Sequence, residues 1–290
     1  MISAAQPCAV VNDVITVQRG LQVLRAFRCQ RTALSNAELV RRTGLAKATV
    51  SRLTTTLMQV GYLRHSAGSA RFELAAASLA IGEAFLSGSD MLRIADPLLQ
   101  DLADRLNMSA ALATAEGTDM LYLGYRAGQD VKTLRMGIGS MIPMGITAVG
   151  RAYLWALPAQ LRQPLLDKLL QSAGAQAAQL EREILSSFSE LDATGACLVH
   201  GSFQRDAWAM ARAVLVGWDG MVMSLSCGRV AAAGELDLVL ERQRVAPILR
   251  EAAVRLEGLT ADCASVRQGE ASAATRIALT RSVQKATRRL

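Results

Sequence analysis

The alternation of apolar and polar positions near the N-terminus predicts two short helices followed by a hairpin. Apolar residues recur at helical spacing in residues 37–43 and again in residues 46–60, and each run stops at a glycine. Gly44 suits the left-handed conformation that a sharp turn between two helices requires. Extended segments at 62–65 and 71–74, joined by small residues, then predict two strands. This order of elements is typical of a winged helix-turn-helix.

The first of these helices carries a capping signal. Ser35 can accept a hydrogen bond from the N–H of Glu38, and the Glu38 side chain can reach back to the N–H of Ser35. Leu34 can pack on Leu39 across the same turn. A further helix over residues 16–28 supplies the rest of the core. The apolar residues of that helix that we expect to face inward are Val17, Leu21, Val23, Leu24 and Phe27.

The second helix of the motif has one apolar face, formed by Val50, Leu53 and Leu57, and one polar face of short or cationic side chains. Such a face can enter a major groove and bond both phosphates and base edges. The plainer interpretation is a solvated face of an ordinary amphipathic helix. The predicted DNA-binding residues come from this polar face, from the start of the preceding helix and from the hairpin that follows. They are Ser35, Asn36, Lys47, Ala48, Thr49, Ser51, Arg52, Thr55, Arg64 and Arg71.

Downstream, the periodicity predicts a linker helix and then an α+β domain with one mainly antiparallel sheet. Asp96 and Pro97 read as the N-cap and first residue of a helix that ends at Leu106. Strands are predicted at 110–115, 120–125, 131–136, 197–200, 209–216 and 221–226, and helices at 148–156, 165–170, 176–193 and 235–256. The predicted domains are a flexible leader (1–13), a winged helix-turn-helix (14–76), a linker helix (77–92), a second domain (93–262) and a basic, mobile tail (263–290).

Charge is distributed unevenly along the chain. Residues 1–82 hold ten Lys/Arg against three Asp/Glu, residues 83–266 hold 16 against 21, and residues 267–290 hold six against one. A basic segment that coincides with a helix-turn-helix is the electrostatic pattern of a phosphate-binding surface. The nucleic-acid surface is therefore expected in the N-terminal domain, not in the acidic second domain.

Composition excludes several other classes. No run of about 18 apolar residues is present, so a membrane span is not expected, and the N-terminus lacks a secretory signal. Five dispersed cysteines without a C-x-x-C and two histidines provide no zinc-ligand spacing, which favours reduced thiols in a cytoplasmic protein. No common catalytic or nucleotide-binding motif occurs. We therefore predict no cofactor, no metal and no enzymatic activity.

The motifs resemble the IclR family of bacterial transcription regulators. The resemblance rests on TVQRGLQVLRAFR, LSNAELVRRTGLAKATVSRLTTTLMQVGYL and RFELAAASLAIG, and in the second domain on IPMGITAVGRAYLWALP and GWDGMVMSLSCG. It implies a DNA-binding domain that dimerises near the linker helix and a GAF/PAS-like domain that binds an effector. It also implies dimers or tetramers on palindromic operators, and small organic or aromatic acids as ligands.

The resemblance maps the effector pocket onto residues 143–150 and strands of the C-terminal half. Thr147 is expected to be the main side-chain donor, and the free N–H groups at the start of the following helix favour a carboxylate independently of the family. Alternatively, Gly145 and Gly150 serve a turn and close helix packing. The predicted effector-binding residues are Met144, Thr147, Ala148, Gly150, His200, Ser224 and Ser226.

The chain departs from the family pattern at two places. His200 and Gly201 stand where acidic residues are usual, and a cysteine common near 209–211 is missing. The ligand is therefore expected to differ from glyoxylate or pyruvate. Arg126 and Arg135 are either clamps for an acid or surface charges.

Three functions compete at this point. The first is a transcription regulator whose operator binding is changed by a small acid. The second is a dimeric DNA-binding protein that needs no ligand, and the third is an enzyme in the second domain.

Overall fold

The structure is a computed structural model of the chain and describes residues 14–28, 33–129, 131, 136–217, 220–231, 236–261 and 263. Contacts divide the chain into two compact units, Met1–Ala84 and Phe85–Leu290. The predicted leader at 1–13 and the tail from residue 264 lie outside the described residues.

The N-terminal elements form the predicted winged helix-turn-helix. They are α1 (Ile15–Arg25), α2 (Asn36–Thr43), α3 (Lys47–Gln59) and the antiparallel strands β1 (Leu63–His65) and β2 (Phe72–Leu74). In the predicted linker at 77–92, α4 (Ala77–Ser87) ends before Gly88, and the next helix begins at Asp90. The core side chains of this unit are Val23, Leu34, Leu39, Val50, Leu63 and Phe72. Short strands and helices of two to three turns bury little area each, so the capping contacts at their ends matter for the fold.

The capping box is confirmed at the start of α2. The Ser35 hydroxyl accepts from the Glu38 amide at 3.2 Å, and Glu38 Oε2 accepts from the Ser35 amide at 3.1 Å. Gly44 ends the helix in the left-handed region, with φ +67°. These contacts satisfy backbone groups that a helix end otherwise leaves to water.

The prediction for α1 is only partly right. Val23 is fully buried and Leu24 and Phe27 pack on the core, but Val17 is 58% exposed and Leu21 is 55% exposed. Helical periodicity identifies an apolar face without saying what covers it. In this unit α2 and α3 cover only the C-terminal half of α1.

The helix α4 has no buried residue. Leu79 and Ile81 are well exposed, and Phe85 is at the border of exposure. A helix that is apolar on several sides normally lies inside a protein or an interface. This helix therefore presents apolar surface that the described part of the chain leaves uncovered.

The C-terminal unit is an α+β domain built on one six-stranded antiparallel sheet. Its helices are α5 (Asp90–Leu106), α6 (Ala148–Ala156), α7 (Ala159–Ala173), α8 (Ala177–Thr194) and α9 (Leu238–Thr260). Its strands are β3 (Ser109–Glu116), β4 (Asp119–Ala127), β5 (Met141–Pro143), β6 (Cys197–His200), β7 (Ala207–Val216) and β8 (Met221–Val230), in the order β5-β4-β3-β8-β7-β6.

The two faces of the sheet have different cores. Around Trp208, Leu99 and Leu249, α5 and α9 pack on one face. On the other face α6 packs around Ala152 and Ala211, with α7 and α8 outside it. The start of α6 is thus held over the middle of the sheet.

The predicted start of α5 is wrong, because the helix begins six residues before Asp96. Ser89 is the N-cap, and its hydroxyl accepts from the Leu92 amide at 3.3 Å. Pro97 lies inside the helix, which costs about 3 kcal/mol. Burial of Met91, Leu92 and Ala95 ahead of the proline offsets that cost, since one fully buried large side chain contributes roughly 1.5–3 kcal/mol.

Two further predictions need correction. Val131 and Met136, the ends of a predicted strand, lie outside any strand, and residues 132–135 between them lie outside the described residues. Besides β3, β4 pairs with β5, which the sequence pattern does not predict as a strand. The helix predicted at 165–170 is the middle of the longer α7, whose apolar residues on both sides of Pro164 continue the same face.

Candidate nucleic-acid interface and ligand cavity

The polar face of α3 is open to solvent. Val50 is buried and Leu53 and Leu57 pack on the core, which turns the opposite face outward. On that face Lys47, Ala48, Ser51, Arg52 and Thr55 are exposed and Thr49 is half-buried. Thr55 donates to the backbone oxygen of Ser51 at 3.0 Å, so its hydroxyl keeps only acceptor capacity. Short side chains beside two cations allow the helix backbone to approach a groove closely.

The two arginines of the hairpin are both paired with carboxylates. Arg64 is 2.7 Å from Glu73, on the neighbouring strand. Arg71 donates to Glu38 Oε2 at 3.1 Å and to the Ala33 oxygen at 3.4 Å. Because Glu38 belongs to the capping box, Arg71 ties the hairpin to the start of α2.

The two predicted DNA-binding residues at the start of α2 differ in environment. Ser35 is half-buried and its hydroxyl is used by the capping box. Asn36 has a buried Oδ1 with no hydrogen-bond partner among the described residues. A buried acceptor without a partner is unfavourable.

In the C-terminal unit a partly enclosed cavity lies beside the start of α6. Its volume is about 80 Å³. The residues that line it are Ser109, Ala111, Tyr122, Tyr125, Met136, Ile142, Ile146, Thr147, Ala148, Val149, Val199, Gly201, Ser202, Phe203, Ala207, Trp208, Ala209, Ser226, Gly228, Arg229 and Val230. Most are apolar with a few hydroxyls, the usual composition of a small-molecule site.

Small residues on the sheet create this space. Ala111 lies opposite Ser226, and Ser109 lies opposite Gly228. Side chains alternate between faces along a strand, so these residues share the face beneath α6 with Ala209. At Gly228 a β-carbon would be 3.1 Å from the Ala209 Cβ. The small side chains thus leave space between this part of the sheet and α6.

Thr147 is the N-cap of α6 and not the free donor that we expected. Its hydroxyl donates to the Pro143 oxygen at 2.7 Å and accepts from the Gly150 amide at 3.4 Å. A hydroxyl has one proton, so none remains for a ligand. The amides of Ala148 and Val149 are left without intrahelical acceptors, as helix geometry requires, and both residues line the cavity.

Two tyrosines form one wall of the cavity. Burial raises the pKa of Tyr122, the nearby Tyr125 hydroxyl raises it further, and a hydrogen bond with Ser226 opposes the shift, so the phenol stays neutral. The Tyr122 and Tyr125 rings stack with centroids 6.1 Å apart. Neither tyrosine, nor Phe203 on the β6–β7 loop, stands out in the sequence, because alternation within a strand does not say which face borders a cavity.

Of the seven predicted effector-binding residues, Thr147, Ala148 and Ser226 line the cavity. Met144 is buried in the core, Gly150 packs against the backbone of Met144, and Ser224 donates to the Arg212 oxygen at 3.4 Å. His200 is exposed at the end of β6. These four residues are outside the cavity lining described above.

Of the two candidate clamps, Arg126 is outside the cavity lining. Arg126 pairs with Asp96 at 2.7 Å, and Arg135 lies outside the described residues. Among the described residues, no three His, Cys, Asp or Glu side chains are grouped so as to hold a metal ion. Within the same ranges, every helix is too short or too polar to cross a bilayer.

Family comparison matches both units. Residues 16–67 match the IclR helix-turn-helix domain, and residues 83–256 match the C-terminal domain of the bacterial transcriptional regulator IclR. The chain is 28% identical to the HTH-type transcriptional regulator TsaQ1/TsaQ2 of Comamonas testosteroni over 200 residues, which is 68% of this chain and 72% of that protein. It is 27% identical to the transcriptional repressor IclR of Escherichia coli K12 over 176 residues, which is 60% of this chain and 63% of the repressor.

Solved structures share the fold. An IclR family transcriptional regulator from Brucella abortus superposes with a TM-score of 0.76 at 31% identity, over 86% of this chain and 93% of the other. An IclR homolog from Microbacterium hydrocarbonoxydans, complexed with 4-hydroxybenzoate, superposes with a TM-score of 0.62 at 21% identity, over 84% of this chain and 98% of the other. The second likeness concerns the fold alone.

Proposed function

The chain belongs to the IclR family of transcriptional regulators, with a DNA-binding helix-turn-helix domain and a C-terminal effector domain, and we propose that a small monocarboxylic acid bound in the cavity changes its affinity for an operator. The related proteins are regulators and repressors, not enzymes, which removes the enzyme alternative. The observation that carries the proposal is the start of α6, which opens onto a cavity floored by small residues.

The chemistry of the cavity supports an anion with a single charge. The unpaired amides of Ala148 and Val149 and the positive end of the α6 dipole favour a carboxylate. Arg229 is the charged residue among the described lining residues, and it already pairs with Glu241. A second carboxylate would therefore have no unpaired cation among those residues.

The cavity volume favours a short acid. A cavity of about 150 Å³ can hold benzene, whereas this one measures about 80 Å³. An aromatic acid would have to displace a wall residue such as Phe203, which comes from an exposed loop. The 4-hydroxybenzoate bound by the Microbacterium homolog makes aromatic acids a reasonable second group to test.

We propose further that α3 reads a palindromic operator as part of a homodimer or homotetramer. Support comes from the uncovered apolar surface of α4, since operator symmetry mirrors protein symmetry. Sedimentation velocity on the wild type and on Leu79→Lys should show an oligomer that dissociates in the variant. Equal sedimentation of both proteins would contradict pairing through α4.

A thermal-shift screen followed by gel shift tests the ligand proposal. Short aliphatic acids and benzoates should raise the melting temperature in proportion to ln(1 + [L]/Kd), and the stabilising acid should change operator affinity. An acid can change operator affinity only if it binds the DNA-binding conformation and the non-binding conformation of the protein with different affinities. Stabilisation without any change in operator affinity would refute control by the acid. No stabilisation by any acid would favour the ligand-independent DNA-binding protein.

A further inference from the structure

Arg151, the fourth residue of α6, is buried and bonded on every side. Its Nε donates to the Gly145 oxygen at 2.9 Å. One terminal nitrogen donates to the Glu183 backbone oxygen at 3.3 Å and to the Ser187 hydroxyl at 3.2 Å. The other is 2.7 Å from Glu183 Oε2. With its side chain only 6% exposed, this guanidinium connects the loop before α6 to the helix α8.

A charge is kept in such a place only when it is well paired, because desolvation is costly. Partial burial opposes ionisation of Glu183, but hydrogen bonds from Gln179 and Arg151 outweigh it and hold its pKa below the usual value. The planar fork of arginine reaches four acceptors on three residues here, which a lysine ammonium on a flexible stem could not do at once.

The bond to Gly145 sets the orientation of the loop. In a trans peptide the C=O and the next N–H point in opposite directions, so fixing the Gly145 oxygen towards Arg151 directs the Ile146 N–H away from it. Ile146, Thr147, Ala148 and Val149 all line the cavity. The amide direction of Ile146 is thus determined by a side chain that does not line the cavity.

We propose that Arg151 is the positioning residue of the ligand site. It holds residues 144–147 so that the amides of Ile146, Ala148 and Val149 present a common set of donors to one carboxylate. The proposal rests on the proposed function, since it assumes that an acid occupies this cavity. The competing interpretation is that Arg151 only links α6 to α8 and has no effect on ligand binding.

Hydrogen exchange tests the positioning without any ligand. Arg151→Met should raise exchange of the hydrogen-bonded amides that flank the loop by tenfold or more and leave the amides of β3 and β8 unchanged. These are the Met144 amide, which donates to the Thr118 oxygen at 3.1 Å, and the Gly150 amide, which donates to the Thr147 hydroxyl at 3.4 Å. Arg182→Met is the matched control, because Arg182 is an exposed arginine on α8 that donates to the Ala178 oxygen of its own helix. Unchanged exchange at Met144 and Gly150, or a uniform rise across the domain, would overturn the proposal.

Ligand affinity separates positioning from fastening. Propionate is compared with propionamide, and benzoate with benzamide, because each amide keeps the body of the acid and loses the charge. Arg151→Met should weaken the acid at least tenfold and its amide less than threefold. An equal loss for acid and amide means that Arg151 only fastens the helices.

A second variant and the wild type keep the outcomes distinguishable. If Arg151→Met does not fold, Arg151→Lys is measured in the same way. Arg151→Lys should show the same local rise in amide exchange beside the loop. Amide exchange equal to that of the wild type in this variant would contradict the proposal. If the wild type binds none of these acids, the proposed function fails, and the exchange experiment alone decides whether Arg151 positions the loop.

Discussion

A β-carbon on Gly150 would lie 2.0 Å from the backbone oxygen of Met144 and 2.5 Å from its Cα. The loop before α6 therefore packs directly against the helix backbone, a contact closer than any residue with a side chain allows. The Gly150 amide is taken by the Thr147 hydroxyl. Gly150 thus shapes the cavity loop by close packing, the alternative considered for it at the outset.

Gly150→Ala should strongly destabilise the effector domain. The added methyl group meets backbone, which cannot rotate away, so we expect a loss of about 3 kcal/mol. Gly258→Ala is the control, because Gly258 lies in α9 with nothing within 4 Å of an added β-carbon, and it should gain about 0.5–1 kcal/mol. Urea unfolding followed in the effector domain measures both. Wild-type stability of the Gly150 variant would show that the loop can move aside.

Arg52→Ala and Lys47→Ala should affect DNA binding differently. Loss of a base-reading arginine costs about 1–3 kcal/mol for the operator and relaxes specificity. Loss of a phosphate-binding lysine weakens all sequences and reduces the slope of log K against log salt by about 0.9. Fluorescence anisotropy at several salt concentrations distinguishes the two, with Gln59→Ala at the far end of α3 as control. If both variants bind like the wild type, α3 is not the recognition helix.

Arg71 can be tested through its partner Glu38. If Arg71 acts by fixing the hairpin, Arg71→Ala and Glu38→Gln should weaken operator binding to a similar degree, roughly threefold, because the exposed pair contributes less than about 1 kcal/mol. If Arg71 instead binds phosphate directly, Glu38→Gln releases it and should tighten binding. Anisotropy titrations therefore distinguish the two roles by the sign of the Glu38→Gln effect, since Arg71→Ala weakens binding in either case.

Cys197 should resist alkylation in the folded protein. Burial raises the pKa of its thiol to about 12, and the thiol donates to the Ala148 oxygen at 3.6 Å. At pH 8 the reactive thiolate is roughly one part in ten thousand, even before access is considered. Peptide mass spectrometry after iodoacetamide treatment should find Cys263, which is half-buried, modified at least a hundredfold faster. Similar rates would mean that the start of α6 opens readily.

Local signals in the chain were sufficient for several elements. The bounds of α6 and β6 agree with the predictions, because Thr147 is a good N-cap and β6 is a short apolar run between turns. The capping box at Ser35 also depends on four neighbouring residues only. At Pro97 the local rule that a proline marks the start of a helix was misleading. The side chains before Pro97 are buried against the sheet, which is distant in sequence, and this burial offsets the cost of a proline inside the helix.

The candidate site was predictable only in part for a related reason. Thr147, Ala148 and Ser226 follow from the resemblance to the IclR family, and the helix start at Ala148 is also visible in the sequence. Tyr122 and Phe203 reach the same cavity from β4 and from the β6–β7 loop, which only the pairing of six strands brings together. Arg151 was missed because the sequence does not show whether an arginine is buried and paired or exposed to solvent.

The exposed apolar surface of α4 also bears on how much protein a cell must make. If two chains pair through this helix, as proposed, the paired species at low abundance grows with the square of the chain concentration. Operator occupancy then rises steeply over a narrow range of expression, and a twofold change in synthesis gives up to a fourfold change in the bound species. The dose of the regulator thus becomes an input in its own right, beside the acid.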